Sequence, residues 1–150
     1  MELATFGAGC FWGIETAFGR VPGVVATSVG FMGGRTDNPS YDAVCIGNTG
    51  HAEVVQVRFD PAVTSYDSLL DLFWTLHDPT VSILNDMNTG SQYRSVIFFH
   101  SPVQEAVALQ SRKIVQILNR DPIATEIVPA GPYFLAEEYH QQYEAKQRRR

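Results

Sequence analysis

An α+β fold is predicted for this chain: a two-layer sandwich with helices packed on one mixed sheet. Three observations predict it. The segments follow the order β-α-β-β-α-β-α-β-α, which matches a ferredoxin-like split-βαβ core with an extra strand and an extra C-terminal helix. "VVQVRF" at 54–59 alternates as a strand does, while 101–120 carries apolar residues at helical spacing. The 150 residues contain no repeat, low-complexity tract or linker-like shift in composition, so 1–150 is expected to form a single domain.

Taken in order, "LATFGAG" (3–9) reads as a strand running into a glycine turn. Phe11, Ile14, Phe18 and Val21 then recur at helical spacing, and that helix should stop before Pro22 and Gly23. "VVATSVGF" (24–31) is a second strand and "VVQVRF" a third. "DPAVTSYDSLLDLFWTLHD" (60–78) opens with a turn. It continues as a helix with Tyr66, Leu69, Leu70, Phe73 and Leu76 on one face. "SVIFFH" (95–100) is a fourth strand. The stretch 101–120 begins with serine and proline, a helix-start signal, and puts Val103, Val107, Ile114, Ile117 and Leu118 on its apolar face. "ATEIVPA" (124–130) should lie at an edge, because Pro129 cannot donate to a ladder. "LAEEYHQQYEAKQ" (135–147) closes the chain as a helix. The connections 32–52 and 78–94 are long and contain no predicted element. Their Pro, Tyr, His, Asn and Gly content points to ordered, functional loops.

Apolar residues make up 45% of the chain and charged ones 18%, the balance of an ordinary globular protein. A formal net charge of −5 argues against nucleic acid as a partner, and "KQRRR" (146–150) reads first as a solvated terminus. No apolar run approaches the ~18 residues of a membrane span. With no leader segment evident, a cytoplasmic location is expected. Two cysteines make no disulfide framework. In a reducing compartment each is either a small buried hydrophobe or a reactive thiol. Neither metal-ligand spacing nor a phosphate-cradling glycine loop is present, so no bound cofactor or metal is expected.

Cys10 sits where a strand hands over to a helix, in "FGAGCFWGIE" (6–15). The first helical N–H groups there should favour thiolate and lower the thiol pKa; the alternative is a structural cysteine. Phe11 and Trp12 could line a pocket for a small apolar group, or simply pack in the core. Residues 53, 55, 57 and 59 are Glu, Val, Val and Phe, so Glu53 shares a face with three apolar side chains. Turned inward, it loses hydration, its pKa rises, and it becomes a proton donor near neutral pH; turned outward, it merely frays the strand. Tyr41 and Tyr93, in the two long loops, carry hydroxyls able to hold an oxygen, or rings that only pack. His51 could pair with Cys10 as in a cysteine hydrolase, or serve as a structural hydrogen-bonder.

"GCFWG" (9–13) resembles the active-site signature of the peptide methionine sulfoxide reductase A family. The likeness continues through "GFMGG" (30–34), "NPSYDAVCIGNTGHAEVVQVRFDP" (38–61), "LFWTLHDPT" (72–80), "GSQYRSVIF" (90–98) and "AEEYHQQY" (136–143). The resemblance implies reduction of the S epimer of methionine sulfoxide, free or in proteins, to methionine, with Cys10 left as sulfenic acid. It implies Cys10 as nucleophile, Glu53 as acid, Tyr41 and Tyr93 as holders of the oxygen, and Phe11 and Trp12 as receivers of the substrate methyl group. Where the family usually has an aspartate five residues before the second tyrosine, this chain has Asn88, a substrate-binding candidate without the charge. The recycling cysteines that many members carry in a C-terminal tail are not found here. An external thiol reductant is therefore expected, glutathione with glutaredoxin first and thioredoxin second, with Cys45 the one internal candidate. A monomer is expected. The rival function is a cysteine hydrolase using Cys10 and His51.

Overall fold

The computed structural model describes residues 1–47, 49–80 and 91–148. Strand β1 (Glu2–Ala8) runs through the middle of a six-stranded sheet. It is flanked on both sides by antiparallel neighbours, β3 (Ala52–Phe59) and β4 (Ser95–Phe99). Beyond β3 lies β2 (Val24–Met32), antiparallel, and then the short β6 (Phe134–Leu135). Beyond β4 lies β5 (Glu126–Pro129), the single parallel neighbour, at the edge that Pro129 predicts. The order is β5-β4-β1-β3-β2-β6, and the fold is mixed α+β as expected.

One face of the sheet carries the main core. Ala4, Phe6, Val29, Phe31, Val55, Val57, Phe59 and Ile97 meet the helices α1 (Phe11–Gly19) and α3 (Tyr66–Thr75) there. Phe6 sits at its centre, with ring centroids 5.0 Å from Phe18 and 5.3 Å from Phe73. The opposite face has a smaller cluster of Met32, Ala52, Val54, Val96 and Phe98. Helix α1 ends ahead of Pro22, as predicted, although Val21 packs against the core from outside the helix.

Three expectations need correction. The connection 32–52 holds a helix, α2 (Tyr41–Ile46). The Ser40 hydroxyl accepts the Ala43 N–H at 3.1 Å, and Gly47 closes the helix at φ +89°. Helix α4 (Pro102–Leu118) is capped by Ser101 as predicted, but of the predicted apolar face Val107 alone packs against the core. Val103, Ile114, Ile117 and Leu118 are 72%, 51%, 82% and 78% exposed, while Gln104 and Ala108 are buried. Hydrogen bonds select that face. Gln104 donates to the Leu3 carbonyl at 2.7 Å and accepts the His100 N–H at 2.9 Å. Ser111 accepts the Trp74 indole N–H at 2.8 Å, and Arg112 donates to the Thr125 carbonyl at 3.1 Å. Finally, 135–147 is not one helix. It contains the end of β6, a 3₁₀ turn at Glu138–His140, a positive φ of 49° at Gln142, and only then α5 (Tyr143–Arg148).

Side-chain ties explain that irregular strap. Gln141 accepts the Val29 N–H and donates to the Val29 and Ala136 carbonyls, all at 2.9 Å. The Gln142 backbone and amide N–H groups donate to buried Glu15 at 2.8 and 2.7 Å. These bonds pin residues 136–142 across β2 and α1 in place of helical ones. Gly30 lets the strap approach, since a Cβ there would collide with the Phe134 carbonyl.

Candidate active site

The turn from β1 into α1 is made by Gly9 at φ +100°, a conformation few side chains tolerate. It delivers Cys10 to the N-cap of α1, exposed and not in a disulfide. The thiol pKa is raised rather than lowered, which corrects the sequence expectation. Partial burial of the sulfur is the largest cause. The Trp12 backbone N–H pulls the other way, as a helix start should, but the charges of Glu53 and Glu144 add to the rise.

Glu53 lies within β3 rather than frayed from it, paired across from Phe31, and is 1% exposed. Val55, Val57 and Phe59 share its face, as the alternation predicts. Its Oε1 accepts the Phe11 N–H at 3.3 Å, and its Oε2 is buried without a partner among the described residues. Burial pushes the carboxyl pKa from 4.5 up to about 7, only partly offset by the Phe11 N–H.

Tyr41 opens α2, and its N–H donates to the Glu137 carboxylate of the strap at 3.3 Å. Tyr93 ends the 3₁₀ turn Ser91–Tyr93 just before β4. Both hydroxyls are held protonated. Desolvation is the main cause for each, and the nearby Cys45 thiol and Glu53 add to it; the Tyr93 pKa is pushed up to about 12. Glu53 thus acts electrostatically on Cys10, Tyr41 and Tyr93 alike, so the three lie within its electrostatic reach.

Phe11 is buried in the core, 5.8 Å from Phe31 by ring centroids, so its nearest tie to the site is the N–H it offers Glu53. Trp12 is half-exposed. Its ring stacks on Tyr143 at 3.9 Å, and its indole N–H donates to His140 Nδ1 at 3.0 Å. Asn88 lies outside the described residues.

His51 does not reach Cys10. Its Nδ1 accepts the Gly34 N–H at 3.0 Å and its Nε2 donates to the Thr36 carbonyl at 2.7 Å, so both ring nitrogens serve the loop after β2. The hydrolase pairing is therefore absent.

Sequence reasoning assigned no role to His140, Tyr143 or Glu137, although "AEEYHQQY" contains all three. A histidine between aromatics was the available signal; reading the segment as one helix concealed which way it faces. Among the described residues, no group of three or more His, Cys, Asp or Glu could ligate a metal ion, and no helix is long and apolar enough to cross a membrane.

A thiol at a helix start, a buried acid titrating near neutrality and two protonated phenols are the groups a cysteine-based oxidoreductase needs. The family model for peptide methionine sulfoxide reductase matches residues 2–150. Peptide methionine sulfoxide reductase MsrA of Methanoculleus marisnigri is 60% identical over 148 residues, covering 97% of this chain and 90% of that protein. Mxr1 of Saccharomyces cerevisiae, solved in reduced form, superposes with a TM-score of 0.90 at 36% identity, over 99% of this chain and 87% of that one. Mxr1 solved in complex with Trx2 matches with a TM-score of 0.67 at 27% identity, over 95% and 84%. The chain belongs to the peptide methionine sulfoxide reductase family.

Proposed function

We propose that this enzyme reduces the S epimer of methionine sulfoxide, free or in proteins, with Cys10 as nucleophile and Glu53 as proton donor. The carrying observation is Glu53: buried, with one oxygen unpartnered among the described residues, a pKa near 7, and close enough to Cys10 to shift its titration. Sulfoxide oxygen is a poor leaving group, so it must take a proton as the S–O bond breaks. The Cys10 thiolate supplies two electrons, the oxygen and the Glu53 proton pass to its sulfur, and methionine leaves beside a Cys10 sulfenic acid. Tyr41 and Tyr93, kept protonated, are suited to hold the oxygen; Trp12, backed by Phe11, is suited to receive the methyl group. Asn88 is proposed to complete the substrate contacts.

Regeneration follows by condensation of the sulfenic acid with a thiol, which releases water and leaves a disulfide for a second thiol to reduce. An external reductant is proposed. Glutathione with glutaredoxin remains the reading from sequence, while the complex of Mxr1 with Trx2 favours a thioredoxin. Residues 1–150 are read as one catalytic domain, monomeric and cytoplasmic. The strand order β4-β1-β3-β2 supports describing its core as a ferredoxin-like split βαβ.

The test is one turnover with methionine sulfoxide and no reductant, followed by mass spectrometry. Wild type should gain one oxygen on Cys10, and Cys10→Ser should neither gain it nor release methionine. Methionine release by a folded Cys10→Ser enzyme would assign the attack to another residue.

A further inference from the structure

His140 is 1% exposed and lies on the strap, in the 3₁₀ turn Glu138–His140. The strap before and after it is tied down independently of Trp12. Gln141 is bonded to Val29 and Ala136, and Glu137 accepts the Tyr41 N–H. The imidazole is thus anchored by its own chain, and its ring faces Phe11, Trp12 and Tyr41 at centroid distances of 5.5, 5.6 and 4.1 Å. Because Nδ1 accepts the indole N–H of Trp12, the ring proton sits on Nε2, which is buried with no partner among the described residues. Leaving a buried donor unsatisfied is unfavourable. Among the described residues the one polar bond the ring makes is the one to Trp12, and the ring must be neutral to make it. Desolvation keeps the His140 pKa low against the opposing charges of Glu137 and Asp42.

Without that bond, the Trp12 indole would still stack on Tyr143 but could slide or turn in its plane. We propose that His140 is a positioning residue, which fixes the Trp12 indole as the wall that receives the substrate methyl group. This rests on the reading of Trp12 given above.

The test pairs two substitutions with two readouts. His140→Phe keeps a flat ring and removes the acceptor. His140→Asn puts an amide oxygen where Nδ1 stood. The chain has two tryptophans, Trp12 and Trp74, so ¹⁵N–¹H spectra show two indole signals, assigned by Trp74→Phe. In His140→Phe the Trp12 indole proton should move upfield. KM for free methionine sulfoxide should rise about fivefold, the size of one hydrogen bond, with kcat altered less than about twofold. His140→Asn should restore both.

An unmoved indole signal, an unmoved KM, or a folded His140→Asn that restores neither overturns the proposal. Trp12→Phe separates the two possible faults. A raised KM there, with none in His140→Phe, rejects His140 as the support; an unchanged KM in Trp12→Phe rejects the wall itself.

Discussion

Replacing Glu53 by Gln should stabilise the protein above neutral pH and leave it nearly unchanged below pH 4.5. The carboxyl titrates at about 7 in the folded protein against an ordinary 4.5. A raised acid pKa means that the folded state holds its proton longer than the unfolded one does. Its contribution is therefore fully present below 4.5 and is lost as pH rises through about 7. Each unit of difference is worth about 1.4 kcal/mol, so ionising Glu53 costs the folded state on the order of 3 kcal/mol by pH 8. Glutamine has nearly the same shape and no proton to lose, so its curve should lack this decline. For a domain of this size the gap between the two proteins corresponds to roughly 6–12 °C in Tm. Circular dichroism melts of both proteins from pH 4 to pH 9 measure it, and taking the difference cancels every other titrating group to first order. A difference that stays flat across that range would refute the reasoning, because Glu53 would then be solvated or its charge matched. The variant should also be the poorer catalyst, with stability gained where proton donation is lost.

Two more outcomes follow from the geometry. Cys45→Ser should leave turnover supported by glutathione and glutaredoxin mostly intact; collapse to a single turnover would instead make Cys45 the resolving thiol. Gln104→Ala should lose about 2–3 kcal/mol, since it strands the Leu3 carbonyl and the His100 N–H, whereas Ile117→Ala on the exposed side of α4 should stay within about 0.5 kcal/mol in the same melts.

What the sequence made legible was whatever depends on local alternation. The strand 52–59 and the inward aim of Glu53 both follow from a period of two, and β3 keeps that period to its end. Helix α4 shows the limit of the same logic. Its apolar stripe is real, yet the helix turns Gln104 and Ser111 inward, because partners distant in sequence need their hydrogen bonds. Helix α2 was signalled by Ser40 and Gly47, but at six residues it is too short for periodicity to register. The strap was hidden for a different reason. Two glutamines bond to β2 and Glu15 instead of extending a helix, and neither tie leaves a mark in the local pattern. The thiol of Cys10 departs from the sequence expectation for a related cause. The helix start can be seen from its neighbours, whereas burial of the sulfur, the largest cause of the rise, and the charges of Glu53 and Glu144 come from elsewhere in the fold.

The raised thiol pKa bears on how the proposed chemistry would run. The influence of Glu53 on Cys10 is mutual: a carboxylate that discourages thiolate is itself discouraged by thiolate. Between them the two groups favour holding one proton over holding none. With one proton there are two arrangements, and only thiolate beside carboxylic acid can attack sulfur while protonating oxygen. Burial of Glu53 lifts its hold on the proton toward that of the thiol, which brings the reactive arrangement within easier reach. Tyr41 and Tyr93 do not compete for the exchange, since both stay protonated through the range in which the pair titrates. On this reading the site presents two constant donors and one that gives up its proton; burial of the sulfur raises the thiol pKa, the Glu53 charge adds to it, and a proton on the carboxyl removes that charge from beside the thiolate.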